Sequence, residues 1–213
     1  MLKVKQFVFN HFQTNCYLLW NDSTKECFII DPSMDTQDEE KKMALFVQQH
    51  CLDVTRILLT HAHIDHITGL KWACERFGLP VTTHPDSAQM IGHAAAYAKI
   101  MGFLASDFSN LQYNYINGGD SLKIGTDTLQ CRHVPGHCIG SLCFVAENPK
   151  MVFTGDALFH GSIGRTDLPG GDNTLLIDKI RSELLTLCDD YAVLPGHGDC
   201  SSIGDEKNYN PFL

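Results

Sequence analysis

The order of strand-like and helix-like segments predicts a layered α/β fold. Apolar runs of strand length alternate with amphipathic stretches, and the same plan occurs in both halves of the chain. Hydrophobic residues make up 44% of the 213, which is enough for a sizeable core. Since no linker or low-complexity stretch separates the halves, we expect residues 1–213 to form a single domain.

The first half is expected to begin with three strands. Residues 3–9 alternate between polar and apolar side chains, which is typical of a half-buried strand. The apolar runs 15–20 and 26–30 flank a short polar turn, a pattern that predicts a hairpin. Residues 36–39 fit a capping box, which predicts a helix that runs to about His50.

The densest group of polar side chains lies between a predicted strand over 55–59 and a predicted helix over 70–77. Its members are His61, His63, Asp65 and His66. Imidazole nitrogens and carboxylate oxygens are common ligands of zinc and iron. Because α/β folds place chemistry where a strand ends and a helix begins, these residues predict a metal site.

The remaining elements follow from periodicity and turn residues. We expect a helix over 85–101 that packs over the site or forms an exposed lid, followed by a loop over 104–119. Further strands are predicted over 80–83, 121–124, 128–133, 141–146, 151–154 and 191–194, and a helix over 174–187.

Three later strand ends repeat the pattern of the first group. His137, Asp156 and His197 each follow a predicted strand, with Gly beside each of them and Pro near the two histidines. These residues let the backbone turn sharply at the edge of a sheet. Each place alone is more typical of an ordinary turn, but together with the first group they supply seven ligand-type side chains.

This ordered set resembles that of the metallo-β-lactamase superfamily: His61, His63, Asp65, His66, His137, Asp156 and His197. The stretches 12–16, 164–167 and 210–213 are similar to those of its short, glyoxalase II-like hydrolases, which lack a C-terminal helical domain. The resemblance implies a four-layer αββα sandwich with metals at one edge of the two sheets.

In that family pattern, the first metal would be bound by His61, His63 and His137, and the second by Asp65, His66 and His197. Asp156 would bridge two divalent ions, with zinc favoured over iron or manganese. Two metals roughly 3.5–4 Å apart can share a hydroxide that attacks a carbonyl, and Asp65 would orient it or move its proton. A nucleophilic role for Cys138 is disfavoured, because no base is evident beside it.

The implied substrate is a thioester of a small thiol such as glutathione. Arg165 stands where glyoxalase II holds the thiol conjugate, although a salt bridge with Asp167 or Asp172 is an equal interpretation. His133 and His160 are considered as further pocket residues. Antibiotic hydrolysis is disfavoured, because the main class of β-lactamases has a cysteine where Asp156 stands.

A second reaction class remains open. The persulfide dioxygenases of the superfamily share the stretches 65–69 and 164–167. They bind one iron through two histidines and one aspartate, which here would be His61, His137 and Asp156. A metal-stabilised binding protein without turnover is a third, weaker interpretation.

Composition excludes other partner classes. A net charge of −9 and a pI of about 5.6 argue against a nucleic-acid partner. No apolar run approaches the roughly 18 residues of a membrane span. The nine cysteines are odd in number and irregularly spaced, which predicts reduced thiols and a cytoplasmic protein. We therefore expect a small-molecule partner only, and composition gives no indication of oligomeric state.

Overall fold

Two six-stranded sheets lie face to face at the centre of the structure, a computed structural model that describes residues 1–104 and 107–213. The first sheet has the spatial order β1 to β6, antiparallel from β1 to β3 and parallel from β3 to β6. Its strands are β1 (Leu2–Phe9), β2 (Thr14–Asn21), β3 (Glu26–Ile30), β4 (Asp53–Leu58), β5 (Val81–Thr83) and β6 (Tyr113–Tyr115).

The second sheet and a small hairpin follow in the second half of the chain. Their strands are β7 (Ser121–Ile124), β8 (Asp127–His133), β9 (Leu142–Ala146), β10 (Met151–Gly155), the hairpin β11 (Leu158–Phe159) and β12 (Ser162–Ile163), β13 (Ala192–Pro195) and β14 (Ser201–Ser202). The sheet order is β14-β13-β10-β9-β8-β7, and the β10–β13 pair is parallel. Strands β8, β10 and β13 therefore end at the same edge.

Helices cover the outer face of each sheet. They are α1 (Gln37–Gln49), α2 (Ile64–Ile67), α3 (Leu70–Phe77), α4 (Pro85–Ile91), α5 (Ala94–Met101), α6 (Asn173–Lys179), which continues as a π-helical turn (Ile180–Leu184), and α7 (Ile203–Tyr209). The first five pack on the first sheet, and α6 and α7 pack on the second. No helix within the described ranges is both long and apolar enough to cross a membrane.

Three layers of side chains hold these elements together. Phe28 and Phe153 belong to the cluster between the sheets, Met43 packs under α1, and Leu176 and Ile203 pack under α6 and α7. Each of the five is at most 1% exposed. The predicted αββα sandwich is therefore confirmed.

The structure corrects two local expectations. The single helix over 85–101 is wrong: α4 and α5 are separate, and Gly92 and His93 stand at the break, where glycine has a low helix propensity. The loop over 104–119 contains β6, which pairs with β5 in parallel. Residues 105 and 106 of that predicted loop lie outside the described ranges.

Candidate metal centre

All seven ligand-type side chains meet at one edge of the sandwich. His61 and His63 follow β4, and Asp65 and His66 lie on α2. The other three side chains follow β8, β10 and β13, whose carboxyl ends lie at the same edge. The edge of a sheet is a rigid support for a loop, so residues that are distant in sequence converge on one pocket.

The first triad consists of His61, His63 and His137. One ring nitrogen of each lies within 4.8 Å of the others. His63 Nδ1 and His137 Nε2 are only 2.7 Å apart. The three nitrogens therefore face a common point, as ligands of one cation do.

The second triad consists of Asp65, His66 and His197, whose ligand-type atoms also lie within 4.8 Å of one another. Asp65 Oδ2 is 3.0 Å from His197 Nε2 and 3.5 Å from His66 Nε2. The two Nε2 atoms are 3.3 Å apart. A carboxylate and two imidazoles thus converge beside the first triad.

Asp156 stands between the two triads. Its Oδ1 lies 3.2 Å from His66 Nε2, and its Oδ2 lies 3.6 Å from both His137 Nε2 and His197 Nε2. His61 Nε2 is 3.9 Å from the same Oδ2. The carboxylate therefore has an oxygen available to each side, the arrangement expected of a bridging ligand.

Gly196 makes this approach to Asp156 possible. A Cβ at this position would overlap Asp156 Oδ1 and lie 2.7 Å from His66 Cε1. The backbone of the loop that precedes His197 therefore packs directly against the carboxylate.

Outer hydrogen bonds orient four of the five histidines. The Nδ1–H groups of His61, His66, His137 and His197 donate to Thr60 Oγ1 at 3.0 Å, Asp31 Oδ2 at 2.9 Å, Arg165 O at 2.8 Å and Phe12 O at 3.2 Å, respectively. A proton held on Nδ1 leaves the lone pair of Nε2 directed into the pocket. His63 differs, because its Nδ1 faces the pocket.

The expectations from sequence did not include Asp31. This carboxylate is 2% exposed and accepts hydrogen bonds from Thr60 N at 2.7 Å, from Thr60 Oγ1 at 2.6 Å and from His66 Nδ1. A signal was present, because Asp31 follows β3 just as the recognised side chains follow their strands.

Burial and neighbouring charges set the protonation states of the pocket. Burial, reinforced by other histidines, lowers the pKa of His63 to about 4 and that of His61 well below its ordinary value. Burial opposes the charge of His66 as well, but Asp156 and Asp65 raise its pKa. Burial likewise opposes ionisation of these two carboxyls, but His66 lowers the pKa of each. Neutral His61 and His63, together with the ionised carboxylates, are suitable ligands for a cation. A bound cation would displace the proton of His66.

Two buried atoms test whether a cation fits. Among the described residues, His61 Nε2 and Asp156 Oδ1 have no aligned hydrogen-bond partner, although both are shielded from solvent. Such groups are costly to bury unless something satisfies them. Both atoms face the pocket, and nitrogen and carboxylate donors suit divalent metals. The residues present therefore fit divalent cations.

The structure places the remaining candidates differently. The Arg165 guanidinium is 62% exposed and binds Asp167 through two hydrogen bonds of 2.7 Å, while its backbone oxygen holds His137. The Cys138 thiol is fully buried, and burial raises its pKa to about 11. His133 donates to Ile139 O at 2.9 Å and stacks on His84. His160 is exposed.

Helix α5 packs against α2, the helix that carries Asp65 and His66. Ala94 and Ala98 pack in the same apolar cluster as Ile67 of α2, whereas Tyr97 and Ile100 are 58% and 79% exposed. The segment is therefore a packed helix with an exposed outer face, and its role as a cover or lid of the pocket stays a prediction.

Comparisons with known proteins agree with this geometry. The model of the metallo-beta-lactamase superfamily matches residues 10–197. Hydroxyacylglutathione hydrolase GloC of Haemophilus influenzae is 36% identical over 213 residues, which cover 95% of this chain and 93% of that protein.

Solved structures with similar folds also match this chain over nearly its whole length. BLEG-1 B3 metallo-beta-lactamase has a TM-score of 0.88 at 35% identity, and the match covers 99% of this chain and 99% of that one. TTHA1623 in a di-iron-bound form has a TM-score of 0.86 at 34% identity, covering 98% of this chain and 100% of that one. ETHE1 from Myxococcus xanthus has a TM-score of 0.79 at 27% identity, and the match covers 98% of this chain and 83% of that one.

Proposed function

Because the chain belongs to the metallo-β-lactamase superfamily, we propose that it is a metal-dependent hydrolase that cleaves the thioester of a small thiol such as glutathione. The observation that carries this proposal is the second triad, which stands beside the first with Asp156 between them. A relative named hydroxyacylglutathione hydrolase, 36% identical along nearly the whole chain, supports the choice of substrate.

The proposed roles use every residue of the pocket. His61, His63 and His137 would hold one cation, Asp65, His66 and His197 a second, and Asp156 would bind both. Zinc is the first candidate for both positions and iron the second, since a 34% identical neighbour is described in a di-iron-bound form, with manganese third. Divalent cations would supply a nucleophilic hydroxide near neutral pH and polarise the carbonyl of the thioester.

Two residues of the chain would handle protons and charge around that chemistry. The Asp65 carboxylate, which lies 3.0 Å from His197 Nε2, would orient the attacking oxygen and accept its proton. Arg165 lies on the strand-end loop whose backbone oxygen fixes His137. Its ion pair with Asp167 is largely exposed to water and contributes little, so the guanidinium would be free to pair instead with a carboxylate of the thiol moiety.

A mononuclear iron dioxygenase is the second candidate. The stretches 65–69 and 164–167, which persulfide dioxygenases of the superfamily share, favour it. It would use His61, His137 and Asp156 only. The Nε2 atoms of His61 and His137 lie 3.9 and 3.6 Å, respectively, from Asp156 Oδ2. This function gives no metal role to the second triad, whereas the hydrolase uses both triads.

β-Lactam hydrolysis needs its own assay. Asp156 in place of a cysteine argues against the main class of β-lactamases. A neighbour named as a B3 metallo-β-lactamase is nevertheless 35% identical over 99% of the chain. The aspartate therefore does not exclude this substrate class by itself.

One set of measurements on the purified full-length protein separates these functions. We expect two metals per chain and hydrolysis of S-lactoylglutathione. His197→Ala should lower both metal content and hydrolysis, while His93→Ala, which changes an exposed histidine at the start of α5, should change neither. One iron per chain with oxygen uptake on glutathione persulfide would overturn the proposal, as would a faster reaction with a β-lactam than with the thioester.

A further inference from the structure

The turn between β1 and β2 binds Asp65, the carboxylate of the second triad. The Thr14 hydroxyl is fully buried and lies 3.0 Å from Asp65 Oδ2. It also lies 3.3 Å from Asn10 Oδ1, but the ionised carboxylate is the nearer and stronger acceptor. Asn10 Nδ2 donates to the backbone oxygen of Asp65 at 2.9 Å. Residues 10–15, which comprise this turn and the first two residues of β2 and are termed the N-terminal turn, thus hold both the side chain and the backbone of Asp65.

The same N-terminal turn binds the loop of His197. Phe12 O accepts a hydrogen bond from His197 Nδ1. Asn15 Nδ2 donates to the backbone oxygens of Pro195 and Gly198 at 2.9 and 3.0 Å. Two of the three members of the second triad are therefore positioned by one short segment near the start of the chain.

The first triad is positioned by other parts of the molecule. His61 is oriented by Thr60, and His137 by the backbone of Arg165. The hydrogen bonds of the N-terminal turn to the pocket go to Asp65 and to the His197 loop. Loss of a contact in this turn should therefore act on one metal position and leave the other unchanged.

We propose that the N-terminal turn determines whether the second metal position is filled, and that Thr14 is its main positioning residue. This inference rests on the proposed two-metal centre and names the residues that make it binuclear. With the hydroxyl removed, Asp65 Oδ2 loses a buried donor and is free to rotate away from His197. Loss of such an outer hydrogen bond typically weakens metal binding about 10- to 100-fold.

The test is a zinc titration of the metal-stripped, full-length protein by calorimetry. The wild type is expected to bind two equivalents. Thr14→Val keeps the volume of the side chain and removes its hydroxyl, so it should bind the first equivalent as the wild type does and the second about 10- to 100-fold more weakly. Thr14→Ser restores the hydroxyl and should restore most of the second affinity.

Thr83→Val is the matched control. Thr83 is also 0% exposed, and its Oγ1 has no hydrogen-bond partner in the part of the chain that the structure describes. This variant should bind both equivalents as the wild type does. Should Thr14→Val fail to fold, Asn10→Gly removes the other contact of this turn with Asp65, the hydrogen bond to its backbone oxygen, and should also weaken the second equivalent selectively. Glycine tolerates the positive φ of 51° at that position.

Three results would overturn the inference: equal weakening of both equivalents in Thr14→Val, no weakening of either, or a single equivalent in the wild type. The thioester assay is independent of these results. If the second equivalent is lost selectively in Thr14→Val but the wild type does not hydrolyse thioesters, the inference stands and the proposed function fails.

Discussion

Among single residues, Asp31 connects the two triads without belonging to either. Its Oδ2 accepts hydrogen bonds from His66 Nδ1 and from the Thr60 hydroxyl, and that hydroxyl accepts one from His61 Nδ1. His61 lies in the first triad and His66 in the second. A change at Asp31 should therefore disturb both metal positions together, unlike a change at Thr14.

We predict that Asp31→Asn lowers the affinity for both zinc equivalents by about tenfold or more. The amide has about the same size, but it lacks the negative charge and presents an NH2 group to donors that need an acceptor. Calorimetric zinc titration checks this expectation. Asp190→Asn, which changes an exposed carboxylate paired with Lys150, is the control and should bind as the wild type does. A selective loss of one equivalent in Asp31→Asn would contradict the prediction.

Cys138→Ser should retain thioester hydrolysis within about threefold. The thiol is 0% exposed and its pKa is raised to about 11, so little thiolate exists at neutral pH. Serine keeps a polar group near Ser141 Oγ, which lies 3.1 Å from the sulfur. Steady-state kinetics of Cys138→Ser are compared with those of Cys188→Ser, which changes an exposed cysteine and serves as the control. A hundredfold loss with full metal content would show that the thiol takes part in the reaction.

The seven pocket residues were predictable because their residue types carry the chemistry. Asp31 gave only a weak signal, a carboxylate at a strand end, because its partner His66 is 35 positions away, and Thr14 gave none, because its partner is 51 positions away. A threonine just before an apolar strand pattern gives no local sign that its hydroxyl will meet a buried carboxylate. Only the tertiary arrangement supplies that information.

At the scale of elements, α7 supports the first triad from a distance. Glu206 on α7 is 1% exposed and accepts hydrogen bonds from Gly161 N at 3.0 Å and from Asn210 Nδ2 at 2.7 Å. Gly161 forms the turn of the β11–β12 hairpin, and the chain then leads to Arg165, whose backbone oxygen holds His137. The final helix therefore anchors the hairpin that precedes this contact.

Glu206→Gln should destabilise the metal-free protein by about 1–3 kcal/mol, because an NH2 group in place of the buried Oε2 would face two donors, Gly161 N and Asn210 Nδ2. Denaturant unfolding monitored by circular dichroism measures this. Asp178→Asn, on the exposed side of α6, is the control and should stay within about 0.5 kcal/mol of the wild type. Equal stability of the two variants would refute the role of Glu206.

Elements with a clear periodicity or capping pattern were predictable, and elements without such a pattern were not. The capping box of Thr36 and Glu39 forms as expected at the start of α1. Strand β6 has only three residues in a polar stretch, so its identity depends on pairing with β5. The break between α4 and α5 was missed because the apolar residues on either side of Gly92 continue one helical pattern.

At the scale of the molecule, each triad joins loops from both sheets. His61 and His63 follow a strand of the first sheet, while His137 follows a strand of the second. The second triad is divided in the same way, because Asp65 and His66 follow a strand of the first sheet and His197 follows a strand of the second. Cations in these positions would link the two halves of the sandwich.

Zinc should therefore raise the melting temperature of the metal-stripped protein by about 10 °C for each position that it fills. At a thousandfold excess over Kd, one site contributes about 4 kcal/mol, and each kcal/mol is worth about 2–4 °C at this chain length. Differential scanning calorimetry with zinc, and with magnesium as the control cation, measures the shift. His197→Ala should reduce it. Equal effects of zinc and magnesium would contradict the prediction.

The division of each triad between the sheets also constrains the order of folding. His63 and His137 are 74 positions apart, and His66 and His197 are 131 apart. Closure of such long loops is slow and comes late in assembly. A chain that has formed only its first sheet holds four of the seven donors but neither complete triad. Uptake of metal at full stoichiometry would therefore mark the moment at which the second half of the chain has reached its native place.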